Sequence, residues 1–391
     1  MPVSLRTGLD RLLDEEFDRI AGRPIGLIAN PTTVDASFRH AIELIRARPE
    51  ARLEMLFGPE HGIRSTAQDL VEVEDGLDPV SGLPVVSLYG PTRVPSEKML
   101  SGLDAVVFDV QDVGARYYTY VWTMAHAMEA CARDGKELIV LDRPNPIGGI
   151  LVEGNVIEGS HLSFVGLYPV PNRHGMTVGE LARFANDEFG INCRLTVVAM
   201  EGWKRSQWFD ETGLPWILPS PNMPTLDTAT VYPGACLLEG TNLSEGRGTT
   251  RPFEIMGAPW IDGAKLAAAL DREHLPGVVF RPVAFEPTFQ KFAGERCGGI
   301  QQHVVDREAY RPVRTGYAIL LGVRRLWPNE FSWRPPPYEY ELERPPIDIL
   351  AGNTRIRELI ERDAPLSEIE GSWQVDLARF KKVRERYLLY D

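Results

Sequence analysis

The sequence predicts an α/β fold built on a mostly parallel, Rossmann-like sheet, and three observations carry that reading. Five short runs rich in Val, Ile and Leu recur over the first 150 residues. Helix-like stretches alternate with them, and each run delivers a polar loop at its end. PIGLIANP comes first, followed by the amphipathic SFRHAIELIRAR. RLEMLFGPEHG, LPVVSLYGP and SGLDAVVFDVQDVG are the next three runs. The long helical pattern YYTYVWTMAHAMEACARDG then leads into KELIVLDRPNPIGG. Strands this apolar need cover on both faces, which intervening helices supply. No G-x-G-x-x-G opens any of these helices, so no dinucleotide cofactor is expected.

From about residue 151 the texture changes. EGNVIEGSHLSFVGLYPVPNRHG is loop-rich, and Thr177 with Glu180 forms a capping-box pattern before a helix. Residues 216 to 257 are dense in Pro, Gly, Thr and Asn, and a loop of such length in a compact domain usually serves function. VVFRPVAFEPTF and GGIQQHVVD read as strands of a second sheet, and TGYAILLGVRRLW reads as a helix. SWRPPPYEYELERPPID reads as proline-rich surface wrapping, and residues 352–391 as helices that close the fold. The expected division is 1–155 for the Rossmann-like domain and 156–391 for the C-terminal domain, with the helix near 177–189 able to pack on the first.

Composition narrows the function classes. The 391 residues are 43% hydrophobic and 25% charged, ample for a large core. A net charge of -13 without a basic face argues against nucleic-acid binding. No apolar run approaches the ~20 residues that span a bilayer. MPVSLRTGLDRLLDEEF lacks the apolar core of a signal peptide, so the chain as it stands reads as cytoplasmic, or as secreted or periplasmic if a leader was trimmed. Cys131, Cys193, Cys236 and Cys297 are scattered, which suits buried small hydrophobes instead of a disulfide framework or a zinc site. No metal or other cofactor is expected.

The loops at the ends of the five runs carry the functional signal. They present Asn30-Pro31, Gly58-Pro59-Glu60-His61, Tyr89-Gly90, Asp109 with Gln111 and Asp112, and Asp142-Arg143-Pro144-Asn145. Open α/β sheets bind ligands at the carboxyl edge of their strands. One polar loop there would mean little; five favour a site. Glu60 follows the apolar MLF and sits in a loop shaped by Gly and Pro, which suits a carboxyl held at a cleft wall. Its plain alternative is a solvated strand-end charge. His61 would position Glu60 or meet a substrate oxygen, or else satisfy a backbone carbonyl. The pair is not H-E-x-x-H, so zinc has little support.

As a set and in this order, GLIANPT, LFGPEHGIR, DGLDPVSGLPVVSLYG, FDVQDVGARYYTYVWTM, DRPNPIGG, VEGN, PNRHGMTVGELA, SPNMPT and PGACLLEGTNLSEGRGTTRPFE resemble the NamZ/YbbC-type family of exo-β-N-acetylmuramidases, formerly a domain of unknown function. The resemblance implies a Rossmann-like domain followed by a smaller α/β (α+β) C-terminal domain, with a cleft between them. It implies removal of N-acetylmuramic acid from the non-reducing end of a peptidoglycan-derived disaccharide or muropeptide. It also makes Glu60 the favoured catalytic residue.

Glycoside hydrolysis normally needs a proton donor and a second carboxylate. Glu153 and Glu239 are the favoured partners, because segments crossing between domains line the cleft; Glu245, Asp109 and Asp112 are further choices. The lactyl carboxylate of muramic acid calls for a cation, and Arg116, Arg173, Arg247 and Arg251 all sit in motif loops. Tyr117, Tyr118, Tyr120 and Trp122 suit stacking on a sugar ring, with only one or two expected to face the ligand and Tyr118 taken forward. Asn30, His61, Asp109, His174 and Asn242 complete the expected substrate contacts. A binding protein without turnover and a phosphate-ester hydrolase are the competing readings. The second lacks a phosphate loop or a metal cluster.

Overall fold

The computed structural model describes residues 5–63, 76–90 and 93–391. Arg64 and Asp75, at the edges of two of the motifs, lie outside them. Twelve strands are seen among the described residues: β1 (Pro24–Ala29), β2 (Arg52–Gly58), β3 (Gly76–Leu77), β4 (Pro84–Ser87), β5 (Ala105–Asp109), β6 (Glu137–Leu141), β7 (Glu153–Val156), β8 (Pro171–Arg173), β9 (Arg194–Val198), β10 (Ile255–Ala258), β11 (Val278–Phe285) and β12 (Cys297–Val304).

Seven of them form one sheet in the order β3-β4-β2-β1-β5-β6-β9, parallel throughout except for the edge strand β3. Successive side chains of a strand face opposite ways, and the apolar runs obey that period. Ala105, Val107, Ile139 and Leu141 enter one core with Leu9, Leu12, Ile42 and Ile45. Val106, Phe108, Leu138 and Val140 enter the other, with Met124, Met128 and Leu181. The helices Gly8–Asp14 and Ala41–Arg46 therefore cover one face, and Tyr120–Arg133 with Val178–Glu188 the other.

This sheet runs past the expected boundary at residue 155, because β9 pairs with β6. The helix Val178–Glu188 packs on Tyr120–Arg133, as its capping-box start allowed. The smaller part holds the antiparallel sheet β10-β12-β11. Its helices Leu226–Ala235 and Pro312–Leu326 touch backbone to backbone: a Cβ on Gly234 would sit 1.8 Å from the Pro312 carbonyl oxygen. Only glycine permits that approach. One core runs through both parts, from Phe108 and Met128 to Tyr317, Leu320 and Ile347.

The C-terminus returns to the first sheet. The Tyr390 hydroxyl donates to Asp142 Oδ2 at 2.6 Å, and the Leu389 N–H donates to Glu180 at 2.8 Å. Thr177 Oγ1 and the Gly179 N–H also donate to Asp142, which has no exposed surface. Burial pushes this carboxyl up to about 6, against the pull of the Tyr390 hydroxyl and the Gly179 N–H. Its folded value lies above the ordinary 3.8, so its contribution to stability is full below that ordinary value and is lost as pH rises through about 6. The wild-type protein should thus lose roughly 3 kcal/mol relative to Asp142→Asn between pH 4 and pH 7. Urea unfolding of both proteins across that window checks the sign and the size.

Candidate active site

The apolar strand β2 ends at Gly58, where the chain doubles back so tightly that a Cβ would lie 3.2 Å from the Ile63 nitrogen. The Gly62 N–H donates to the Pro59 carbonyl at 2.8 Å, closing a turn around Glu60 and His61. His61 has φ +67° and Gly62 φ +77°. Glycine adopts that left-handed backbone readily, whereas histidine is strained in it. The turn drives Glu60 inward, leaving it 8% exposed.

There its Oε2 accepts a hydrogen bond from Thr119 Oγ1 at 2.5 Å. Thr119 is the N-cap of the helix Tyr120–Arg133, yet its hydroxyl makes no capping bond to that helix. It is spent on Glu60 instead, which sets the carboxylate beside the positive end of the helix.

Glu60 and His61 line a small cavity. The facing wall comes from the second part of the chain. The short 3-10 turn Cys236–Gly240 presents Glu239, whose Oε1 pairs with Arg247 at 3.0 Å and whose Oε2 accepts from the Tyr338 hydroxyl at 2.8 Å. Arg247 also reaches Glu245 at 3.3 Å, and Lys291 pairs with Glu245 at 3.0 Å. Burial alone would raise the Glu245 carboxyl, but Lys291 and Arg247 outweigh it and hold it below the usual range.

The floor is aromatic: Tyr118 meets Tyr232 edge to face at 5.8 Å, Tyr232 meets Phe253 at 4.8 Å, and the Arg247 guanidinium lies 5.1 Å from the Phe253 ring. Ser220 and Asn222, from SPNMPT, and Glu339, from the proline-rich segment, complete the lining. Among the described residues, no three His, Cys, Asp or Glu side chains are grouped to hold a metal.

Six of the residues singled out in the sequence therefore meet here: Glu60, His61, Tyr117, Tyr118, Glu239 and Arg247. Seven others lie elsewhere. Arg116 has no exposed surface, and its guanidinium donates to the carbonyls of Asn155 (2.7 Å), Val170 (3.1 Å) and Leu350, tying the two parts together. Glu153 accepts from the N–H groups of Arg314 (2.8 Å) and Val313 (3.2 Å), so it caps the helix Pro312–Leu326. Burial raises its carboxyl despite those donors.

Asp109 is fully buried in an ion pair with Arg143, and Asn30 organises its own turn by accepting from Thr32. These two fill the point between β1 and β5 where the sheet order reverses. His174 lies buried against Asp112 at 3.3 Å. Its Nδ1 accepts from the Met176 N–H, so Nε2 carries the proton that faces Asp112. Asn242 braces the surface segment 330–332, and Arg251 pairs with Glu254 near solvent. Arg173, a further cation considered for the substrate, is buried on the Ile147 carbonyl.

The sequence reading had not singled out Thr119, Asn222, Tyr232, Tyr338 or Glu339. SPNMPT had stood out as a motif, and the alternation of Tyr and Glu after three prolines in PPPYEYE was the available signal for the last two.

Comparison with known proteins bears on this site. Residues 25–227 match the model of the N-terminal domain of exo-β-N-acetylmuramidase NamZ, and residues 230–390 match that of its C-terminal domain. The chain is 47% identical over 386 residues to the peptidoglycan β-N-acetylmuramidase NamZ of Bacillus subtilis strain 168, covering 99% of this chain and 91% of that protein. Two crystal structures of DUF1343 family proteins from Bacteroides fragilis NCTC 9343 share the fold. One has a TM-score of 0.91 at 37% identity over the whole of both chains, the other 0.79 at 28% identity over 99% of each.

The left-handed backbone at His61 separates conformational from chemical effects. His61→Val should unfold more easily than His61→Gly by about 1–3 kcal/mol, because a β-branched residue is strained there and glycine is not. Paired thermal melts would measure the gap.

Proposed function

The chain belongs to the NamZ family of exo-β-N-acetylmuramidases, and from that premise we propose that the cavity at the end of β2 is where it cleaves the glycosidic bond of a terminal N-acetylmuramic acid. The substrate is a peptidoglycan-derived disaccharide or muropeptide, and Glu60 is the acid. The observation that carries this reading is the placement of Glu60: a strained turn and the Thr119 hydroxyl aim one carboxyl into a cavity whose far wall holds a fixed cation.

In this reading Glu60 gives its proton to the glycosidic oxygen as the bond from that oxygen to C1 breaks. The rest of the substrate leaves with the new hydroxyl, and water adds to C1. Arg247, pinned between Glu239 and Glu245, presents its guanidinium where the lactyl carboxylate would lie, a pairing suited to two parallel hydrogen bonds. The Tyr118, Tyr232 and Phe253 rings offer a firm apolar surface to one face of the sugar.

Two measurements test the roles. Glu60→Gln should lower kcat/KM for a muramyl disaccharide by about 10²–10⁴-fold, and by much less for the 4-nitrophenyl β-muramide, whose leaving group needs little protonation. Full activity of Glu60→Gln on the disaccharide would remove it from the chemistry. Arg247→Met should erode the preference for a terminal muramic acid over a terminal N-acetylglucosamine by about 10–100-fold, which competing the two disaccharides would reveal. An unchanged preference would place the lactyl contact elsewhere.

A further inference from the structure

We propose that Lys291 is a positioning residue that sets the preference for an anionic sugar: from behind Arg247 it neutralises Glu245, and so keeps the charge of Arg247 available to a substrate carboxylate. This rests on the reading of the cavity as the muramidase site, with Arg247 as the cation for the lactyl group.

The Arg247 guanidinium pairs with Glu239 at 3.0 Å and with one oxygen of Glu245 at 3.3 Å. Lys291 meets the other oxygen of Glu245 at 3.0 Å. The four groups form one chain in which cations and carboxylates alternate. The side chains of Arg247, Glu239 and Glu245 are 12%, 7% and 2% exposed, so water screens their charges poorly.

A cation between two carboxylates has its charge more than matched, and a third carboxylate gains little by approaching it. Lys291 shifts that balance. Burial would raise the Glu245 carboxyl, and Lys291 is the strongest of the charges that instead hold it below the usual range, ahead of Arg247. Glu245 is therefore matched mainly from the side away from Arg247. Removing the ammonium would leave this wall one charge more negative.

Lys291 does this without touching substrate. An ammonium has three hydrogens to donate. They go to Glu245, to the Leu243 carbonyl at 2.8 Å and to the Leu238 carbonyl at 3.3 Å. Those carbonyls bracket Glu239, so one side chain fixes the turn that carries the first carboxylate and the charge of the second.

The backbone is shaped to deliver it. Lys291 lies in the connection between β11 and β12, flanked by Gln290 at φ +68° and Phe292 at φ +60°. Two left-handed non-glycine residues so close together are strained, and such strain persists where the surroundings hold it in place. The connection sits directly on the SEGRG loop. The Thr288 N–H and hydroxyl both donate to the Gly248 carbonyl at 2.9 Å, and a Cβ on Gly248 would lie 2.6 Å from the Phe289 carbonyl oxygen. Glycine alone allows that approach. Lys291 and Arg247 are thus held in register across the contact.

The test measures KM and kcat of the full chain on a muramyl disaccharide and on the same sugar with its lactyl carboxylate converted to the neutral methylamide. Lys291→Met should raise KM for the acid about tenfold and leave KM for the amide within about twofold, with kcat nearly unchanged on both. Lys291→Arg keeps the charge and should stay within about threefold of the wild type. Combining Lys291→Met with Glu245→Gln removes one charge of each sign, and should bring KM for the acid back to within about threefold. A merely structural role would weaken both substrates alike and gain nothing from Glu245→Gln; either result would overturn the proposal. So would a wild-type KM for the acid in Lys291→Met, or a Lys291→Met chain that fails to fold and is not restored by Glu245→Gln. Loss of the acid-over-amide preference in Arg247→Met is the result the underlying reading requires. Its persistence there would strike the lactyl contact itself, a separate outcome.

Discussion

A parallel sheet buried on both faces leaves chemistry almost nowhere to go but the ends of its strands. Here β1, β5 and β6 are apolar on both sides, and two separate cores take up their alternating side chains. Every polar residue that the strands deliver must then be satisfied at one edge. Most of them satisfy each other. Asp109 pairs with Arg143, Asn30 folds its own loop, and Asp142 receives donors from two other segments, the start of the helix Val178–Glu188 and the C-terminus. The usual binding point of such sheets, between β1 and β5, is thereby filled with internal bonds. One strand outward, at the end of β2, Glu60 and His61 line a cavity.

That cavity is made by two halves that could not slide without breaking buried contacts. Arg116 binds carbonyls from three segments, Glu153 caps a helix of the second part, and two helices meet backbone to backbone at Gly234. Leaving such buried carbonyls unmatched would cost about 1–3 kcal/mol each. A site assembled from both halves keeps its geometry only if that joint is rigid, so several residues that look like binding groups in the sequence are in fact the joint.

The sequence revealed the sheet because hydrophobic runs with period two survive any tertiary context that buries both faces. Beta9 was harder to see: its residues Arg194–Val198 are only half-buried along most of their length, and the run sits amid loops. The site was legible where a motif combined an acid with unusual backbone, as in Gly58–Gly62. It was not legible for Arg116 or Glu153. An arginine among glycines reads the same whether its partner is a ligand or three carbonyls, and a glutamate at a domain crossing reads the same whether it faces a cleft or a helix end. Burial alone separates these cases, and a sequence does not carry it. Tyr338 and Glu339 were hidden for a different reason: three prolines suggested surface wrapping and outweighed the alternation of Tyr and Glu that follows, in which Tyr338 is buried.

Both walls of the cavity end in the same device. His61 beside Glu60, and Glu339 with Tyr340, hold non-glycine residues on left-handed backbone at the tips of tight turns. A flexible loop would place a carboxyl over several ångströms and would lose rate each time it strayed from reacting distance. A turn locked by Gly62 to Pro59 on one side and by Tyr338 to Glu341 on the other removes that freedom before substrate binds. The strain lowers stability by about 1–3 kcal/mol at each such residue. Arg116 and the Gly234 contact supply the rigidity that lets the fold carry it, so the constraint that fills the sheet edge with bonds also sustains two strained turns that line one cavity.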